Sequence, residues 1–130
     1  MKRLCLVGDP VENSLSPAMH GAALRHLRLD RNFSYEGRKV ASEELAGFMR
    51  DSAREYAGMS VTMPHKVSII QHLDGLSDEA KLIGAANTVV RERDGMIGHN
   101  TVGTGCLLAL GSAGVDVGGK SEGVLHASIK

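Results

Sequence analysis

A chain of 130 residues is long enough to bury one core and too short for two full domains, and its 42% hydrophobic and 23% charged residues are globular values. Fifteen basic and fifteen acidic side chains leave a net charge of +0, which excludes a cationic footprint for nucleic acid or an anionic membrane. No apolar run approaches membrane-spanning length, and MKRLCLVGDP lacks the long apolar segment and cleavage site of a signal peptide, so the chain reads as cytoplasmic.

Residues 3 to 8, RLCLVG, are a short apolar run ending in glycine and predict a buried strand. SPAMHGAALRHLRL, 16 to 29, predicts a helix. Ser16 is its expected N-cap, Pro17 its first position, and Met19, Ala22, Ala23, Leu24 and Leu27 its apolar stripe. A second cycle follows in the strand NFSYEGRKV, 32 to 40, and the amphipathic helix SEELAGFMRDSAREY, with Ser42 as its cap. GMSVTM, 58 to 63, leads into PHKVSIIQHL, where Pro64 marks a first helical turn. Three strand–helix cycles in succession predict an α/β fold, a three-layer α/β/α arrangement with a mostly parallel sheet.

The rhythm then changes. After a short helix in SDEAKLIGA, the stretch NTVVRERDGMIGHN reads as two strands joined at Asp94-Gly95, so the sheet is expected to be mixed, with one late antiparallel hairpin. TGCLLALGS, 104 to 112, predicts a last helix, and the glycine-rich GSAGVDVGGKSEG beyond it places the domain at residues 1–118 and a truncated linker or foreign tail at 119–130. Cys5 and Cys106 match no CxxC or zinc spacing and read as buried reduced thiols. The six histidines form no HExxH or paired pattern, so no metal site is expected.

In parallel α/β sheets, ligands bind at the carboxyl ends of strands beside helix N-termini. Four loops fall there. NSLSP offers the Ser14 and Ser16 hydroxyls as an anion cradle, against the plainer reading that Ser16 caps and Ser14 is solvated. VTMPHK places Thr62 at a strand end and Lys66 in the first helical turn, where the macrodipole would lower its proton affinity and suit it to proton transfer; a solvated lysine is the alternative. His65 shows no partner and reads as structural or exposed. AANTV offers Asn87 either as a ligand donor or as a turn residue bonded to its own backbone. GHNTVGTG holds Asn100 and Thr101 between glycines, with the apolar Val102 among them, and its Gly103-Thr104-Gly105 fails as a dinucleotide fingerprint because Leu108 occupies the third glycine position.

Together SLSPAMH, VTMPHK, AANTV and GHNTVGTG, in this order and at these separations, closely resemble the substrate-binding domain of the shikimate dehydrogenase family, over roughly residues 3 to 118. The resemblance implies NADP-dependent reduction of 3-dehydroshikimate to shikimate in aromatic amino-acid biosynthesis, with quinate or NAD used by some members. It implies that Ser14 and Ser16 hold the substrate carboxylate, that Thr62 and Asn87 bind ring hydroxyls, and that Lys66 transfers the proton at the reacting carbon. NADP belongs to a second domain of the family, so no cofactor is expected on this chain alone.

Two features depart from the family's pattern. Its last motif reads Asn-Thr-Asp-Gly, whose Asp bonds a substrate hydroxyl and works beside the lysine; here Val102 takes that position. Loss of such a charged partner costs about 2–5 kcal/mol, a hundredfold or more in turnover. The chain also stops where a Gly-rich nucleotide-binding turn is expected. The leading expectation is a domain that binds shikimate or 3-dehydroshikimate and is inactive alone. Alternatives are a fragment or frameshifted product of an active shikimate or quinate dehydrogenase, foreign from about Ser121, and a non-catalytic stand-alone binding module. A homodimer would cover apolar surface left by an absent second domain.

Overall fold

The computed structural model describes residues 1–115. Its centre is β1 (Lys2–Gly8), whose Cys5, Leu6 and Val7 are buried because strands pair on both of its edges. β2 (Phe33–Lys39) lies parallel on one side, in register from Lys2 against Phe33 to Gly8 against Lys39, and β3 (Tyr56–Val61) lies parallel on the other. β5 (Thr88–Glu92) runs antiparallel to β3 and to β6 (Gly95–His99), and the two-residue β4 (Gly75–Leu76) closes the edge parallel to β6. The sheet order is therefore β2-β1-β3-β5-β6-β4, with β5 alone reversed.

Strand residues one apart face opposite sides, which divides the molecule into layers. Cys5 and Val7 of β1, with Met59, Val61 and Val89, form the main core against Leu45, Phe48 and Met49 of α2 (Leu45–Asp51). Leu4 and Tyr35 lie on the other face, where α1 (Ser16–His26) packs; the His20 ring stacks on Tyr35 at 4.1 Å. The α/β class, the mixed and mostly parallel sheet and the late hairpin stand as the sequence predicts.

Several local expectations do not. No residue of α1 is buried, and Met19 and Leu27 of its expected stripe are 61% and 62% exposed, because α1 borders an open trough of about 420 Å³ along the sheet rather than covering it. Ser16 is the first helical residue, not the cap: the hydroxyl oxygen of Ser14 accepts its N–H at 3.2 Å. Ser42 likewise caps nothing; it opens a 3-10 turn, Ser42–Glu44, and a second 3-10 turn, Ala53–Glu55, follows α2, so the expected long helix is broken in three. The hairpin loop is Arg93-Asp94, with Gly95 beginning β6 at φ +117°, a backbone state that favours glycine. Cys106 is only half-buried, whereas Cys5 is fully buried.

α3 (Asp78–Ile83) forms as the sequence signals: Ser77 caps it by accepting the Ala80 N–H, and Gly84 ends it at φ +77°. α4 (Val102–Ser112) is the last described element. The expected boundary at residue 118 and the tail 119–130 lie outside the described residues. Within them, no helix is long and apolar enough to cross a membrane, and no group of three His, Cys, Asp or Glu is placed to hold a metal ion.

Candidate functional site

Backbone hydrogen bonds gather the loops at the carboxyl edge of the sheet. Thr62 N donates to the Val7 carbonyl and Asp9 N to the Met63 carbonyl, both at 2.9 Å, joining the loops after β1 and β3. Gly8 makes this possible, since a Cβ there would strike the Thr62 methyl and come within 2.9 Å of the Met63 oxygen. Val61 N donates to Asn87 O at 2.7 Å, Asn87 N to His99 O at 3.0 Å, and Ala86 N to Lys66 O at 2.8 Å. Thr62, Lys66, Asn87 and the start of α4 are thus held in one continuous backbone frame.

Lys66 is half-buried, and burial holds its ammonium below the ordinary 10.5. The cause differs from the one expected. Residues 62–65 form a turn closed by His65 N to Thr62 O at 3.0 Å, and helical structure begins only at Ser68, so Lys66 lies before that helix and not in its first turn. Pro64 belongs to that turn, not to a helix start; proline suits both, and the local sequence does not separate them.

The Asn87 side chain is not bonded to its own backbone, as the turn reading has it, but to the neighbouring loop. Its Oδ1 accepts the Thr101 N–H at 3.0 Å and the Thr88 hydroxyl at 3.1 Å, and its Nδ2 donates to Thr101 Oγ1 at 3.0 Å. Thr101, unassigned by the motif reading, therefore sets the orientation of Asn87. A pairing between loops 14 residues apart leaves no local sequence signal. Asn100 is 1% exposed and is structural: its amide donates to Ala85 O at 3.1 Å while its Oδ1 accepts the Val102 N–H at 3.1 Å. Val102 is half-buried at the first position of α4.

Ser14 and Ser16 are both half-buried at the start of α1, and the Ser14 hydroxyl is already engaged with Ser16 N. Among the described residues, no hydrogen bond joins either serine to Thr62, Lys66 or Asn87. The structure brings Thr62, Lys66, Asn87 and Val102 into one frame and leaves the two serines on the neighbouring loop.

The family model described as shikimate dehydrogenase substrate binding domain matches residues 6–89. The chain belongs to the shikimate dehydrogenase family. The NADP(+) shikimate dehydrogenase of Citrifermentans bemidjiense is 48% identical over 124 residues, covering 94% of this chain and 42% of that protein. That of Bacillus licheniformis is 43% identical over 106 residues, 81% of this chain and 37% of that protein. The shikimate 5-dehydrogenase of Thermus thermophilus, solved in complex with NADP(H) and shikimate, matches with a TM-score of 0.81 at 40% identity over 90% of this chain and 44% of its own. The chain spans less than half the length of these shikimate dehydrogenases.

The Gly103-Thr104-Gly105 segment does not form the phosphate-binding turn of the dinucleotide that the relatives' names carry. Gly103 and Gly105 lie inside the first turn of α4 rather than in a loop before it, and a Cβ at Gly105 would meet nothing within 4 Å, so no close backbone approach requires glycine there.

Proposed function

We propose that this chain is the part of a shikimate dehydrogenase that binds shikimate or 3-dehydroshikimate, and that residues 1–115 supply no part of the nucleotide's site. The observation that carries this reading is the backbone frame holding Thr62, Lys66 and Asn87 together at the carboxyl edge of the sheet. Ser14 and Ser16 receive the substrate carboxylate, and Thr62 and Asn87 take ring hydroxyls. Lys66 exchanges a proton with the oxygen on the carbon that changes oxidation state: its ammonium gives the proton as the ketone is reduced, and its amine takes it back in reverse. Desolvation lowers the proton affinity of Lys66, which favours release of its proton to the substrate oxygen. Val102 supplies neither charge nor hydrogen bond where the family's motif has Asp, so the pocket recognises substrate with one partner fewer.

Calorimetric or NMR titration of the 130-residue chain with shikimate tests the binding. Saturable binding at millimolar concentration or below, with shifts centred on Ser14, Ser16, Thr62, Lys66 and Asn87, is the expected result; no response at millimolar shikimate would sink the reading. Oxidation of shikimate with NADP is expected to stay at the protein-free rate, and a faster rate would show that these residues bind nucleotide after all.

A further inference from the structure

Only one of the residues from Thr62 to Lys66 turns fully inward. Met63 is 60% exposed, Pro64 is exposed, and Thr62 and Lys66 are half-buried, but His65 is 0% exposed. Its Nε2 lies 2.5 Å from the Val40 carbonyl oxygen, at the junction that follows β2. A carbonyl only accepts, so Nε2 carries a proton; Nδ1 is buried with no partner among the described residues, where a second N–H and its charge would go unanswered, which favours the neutral ring. Leaving a buried nitrogen unpaired costs free energy, and a fold keeps such a ring where the opposite side of it does something specific.

That opposite side is a clamp. Val40 is 3% exposed, and its own N–H donates to Gly8 O at 2.9 Å, so the imidazole ties the loop to the ends of both β1 and β2. On the other flank, Ile69 N donates to His65 O at 2.9 Å and Ala86 N to Lys66 O at 2.8 Å. We propose that His65 is a positioning residue for Lys66, its neutral Nε2–H imidazole fixing the Thr62–Lys66 turn on Val40 so that the lysine amine reaches one place. The backbone on each side of Lys66 is then pinned, and only its side chain remains free to move. This rests on the reading of Lys66 as the proton-transfer residue, but its first test needs no substrate.

The test follows the titration of Lys66 by NMR in the 130-residue chain carrying 13C-methylated lysines, together with shikimate affinity, in His65→Phe and His65→Gln. Phe fills the space without a donor; the Gln amide places an N–H at the reach of Nε2. With Phe, the Lys66 titration moves up toward 10.5 and shikimate binding weakens tenfold or more, while amide spectra change only in residues 62–69 and at the Val40 junction that loses the bond. With Gln, both return to within about threefold of the unsubstituted chain. An unchanged Lys66 titration and affinity in a folded His65→Phe chain overturns the proposal. Should that variant fail to fold, 15N-histidine spectra of the unsubstituted chain decide: an Nε2–H tautomer supports the clamp, and an Nδ1–H or doubly protonated ring overturns it. If the unsubstituted chain ignores shikimate, the proposed function fails while the Lys66 titration still reads His65.

Discussion

Val102 stands where the N-terminal N–H groups of α4 leave positive potential, and no acidic residue occupies that helix's first turn. Val102→Asp therefore carries two separable effects. Without ligand, the carboxylate raises stability by about 0.3–1 kcal/mol through the helix end, read as a higher thermal midpoint. With shikimate, it restores a charged acceptor and is expected to tighten binding tenfold or more by calorimetry, since a hydrogen bond to a charged group contributes about 1.5–3 kcal/mol. A raised midpoint with unchanged affinity would place Val102 outside the shikimate contact. The residue types at this site were legible in VTMPHK and AANTV; their surroundings were not. His65 carried no sequence mark of its buried role, because the carbonyl it bonds belongs to Val40, 25 residues away. The lowered proton affinity of Lys66 was expected from a helix end and comes from desolvation, a property of the assembled loops.

Among the elements, strands and short helices were readable because their signals are local: the apolar run of β1, the short helix in SDEAKLIGA, the short hairpin. Two-residue β4 was invisible, since pairing with β6 rather than composition makes it a strand. The face of α1 was misread because its apolar spacing does not reveal how much of the sheet it covers. One cross-strand group likewise emerges only from the register. Tyr56 of β3 is 0% exposed; its hydroxyl donates to Glu36 of β2 at 2.6 Å and accepts from Arg38 at 2.7 Å and Arg3 of β1 at 3.1 Å. The Glu36 carboxyl is held below its ordinary value by this hydroxyl first and by Arg3 second. Tyr56→Phe removes the shared hydroxyl and keeps the ring against Phe48, so it is expected to cost about 1–2 kcal/mol, seen as a lower denaturant midpoint at an unchanged m-value. A loss below about 0.5 kcal/mol would mean that Arg3 and Glu36 close the gap by themselves.

At the scale of the whole molecule, β1 is the strand on which the sheet is assembled, and Cys5 sits at its middle between Glu36 of β2 and Met59 of β3. Its thiol is 0% exposed, and burial pushes its pKa up to about 12, so near pH 8 it is neither reachable nor ionised. Cys106 is only half-buried on α4 and is open to a reagent from solvent. A thiol reagent is therefore expected to modify one cysteine of the native chain quickly and the second only through unfolding, at a rate that rises with denaturant along the global unfolding equilibrium. Mass spectrometry of the labelled peptides assigns the two sites. Shikimate at about 100 times its Kd should slow Cys5 labelling about a hundredfold, because ligand that binds only the folded chain adds about 2.7 kcal/mol to global opening. Equal labelling of both cysteines in the native chain would show that β1 opens locally and is not the centre of a cooperative unit. Slowing of Cys5 by shikimate would tie the binding loops at the carboxyl edge to the stability of the strand from which the first of them departs.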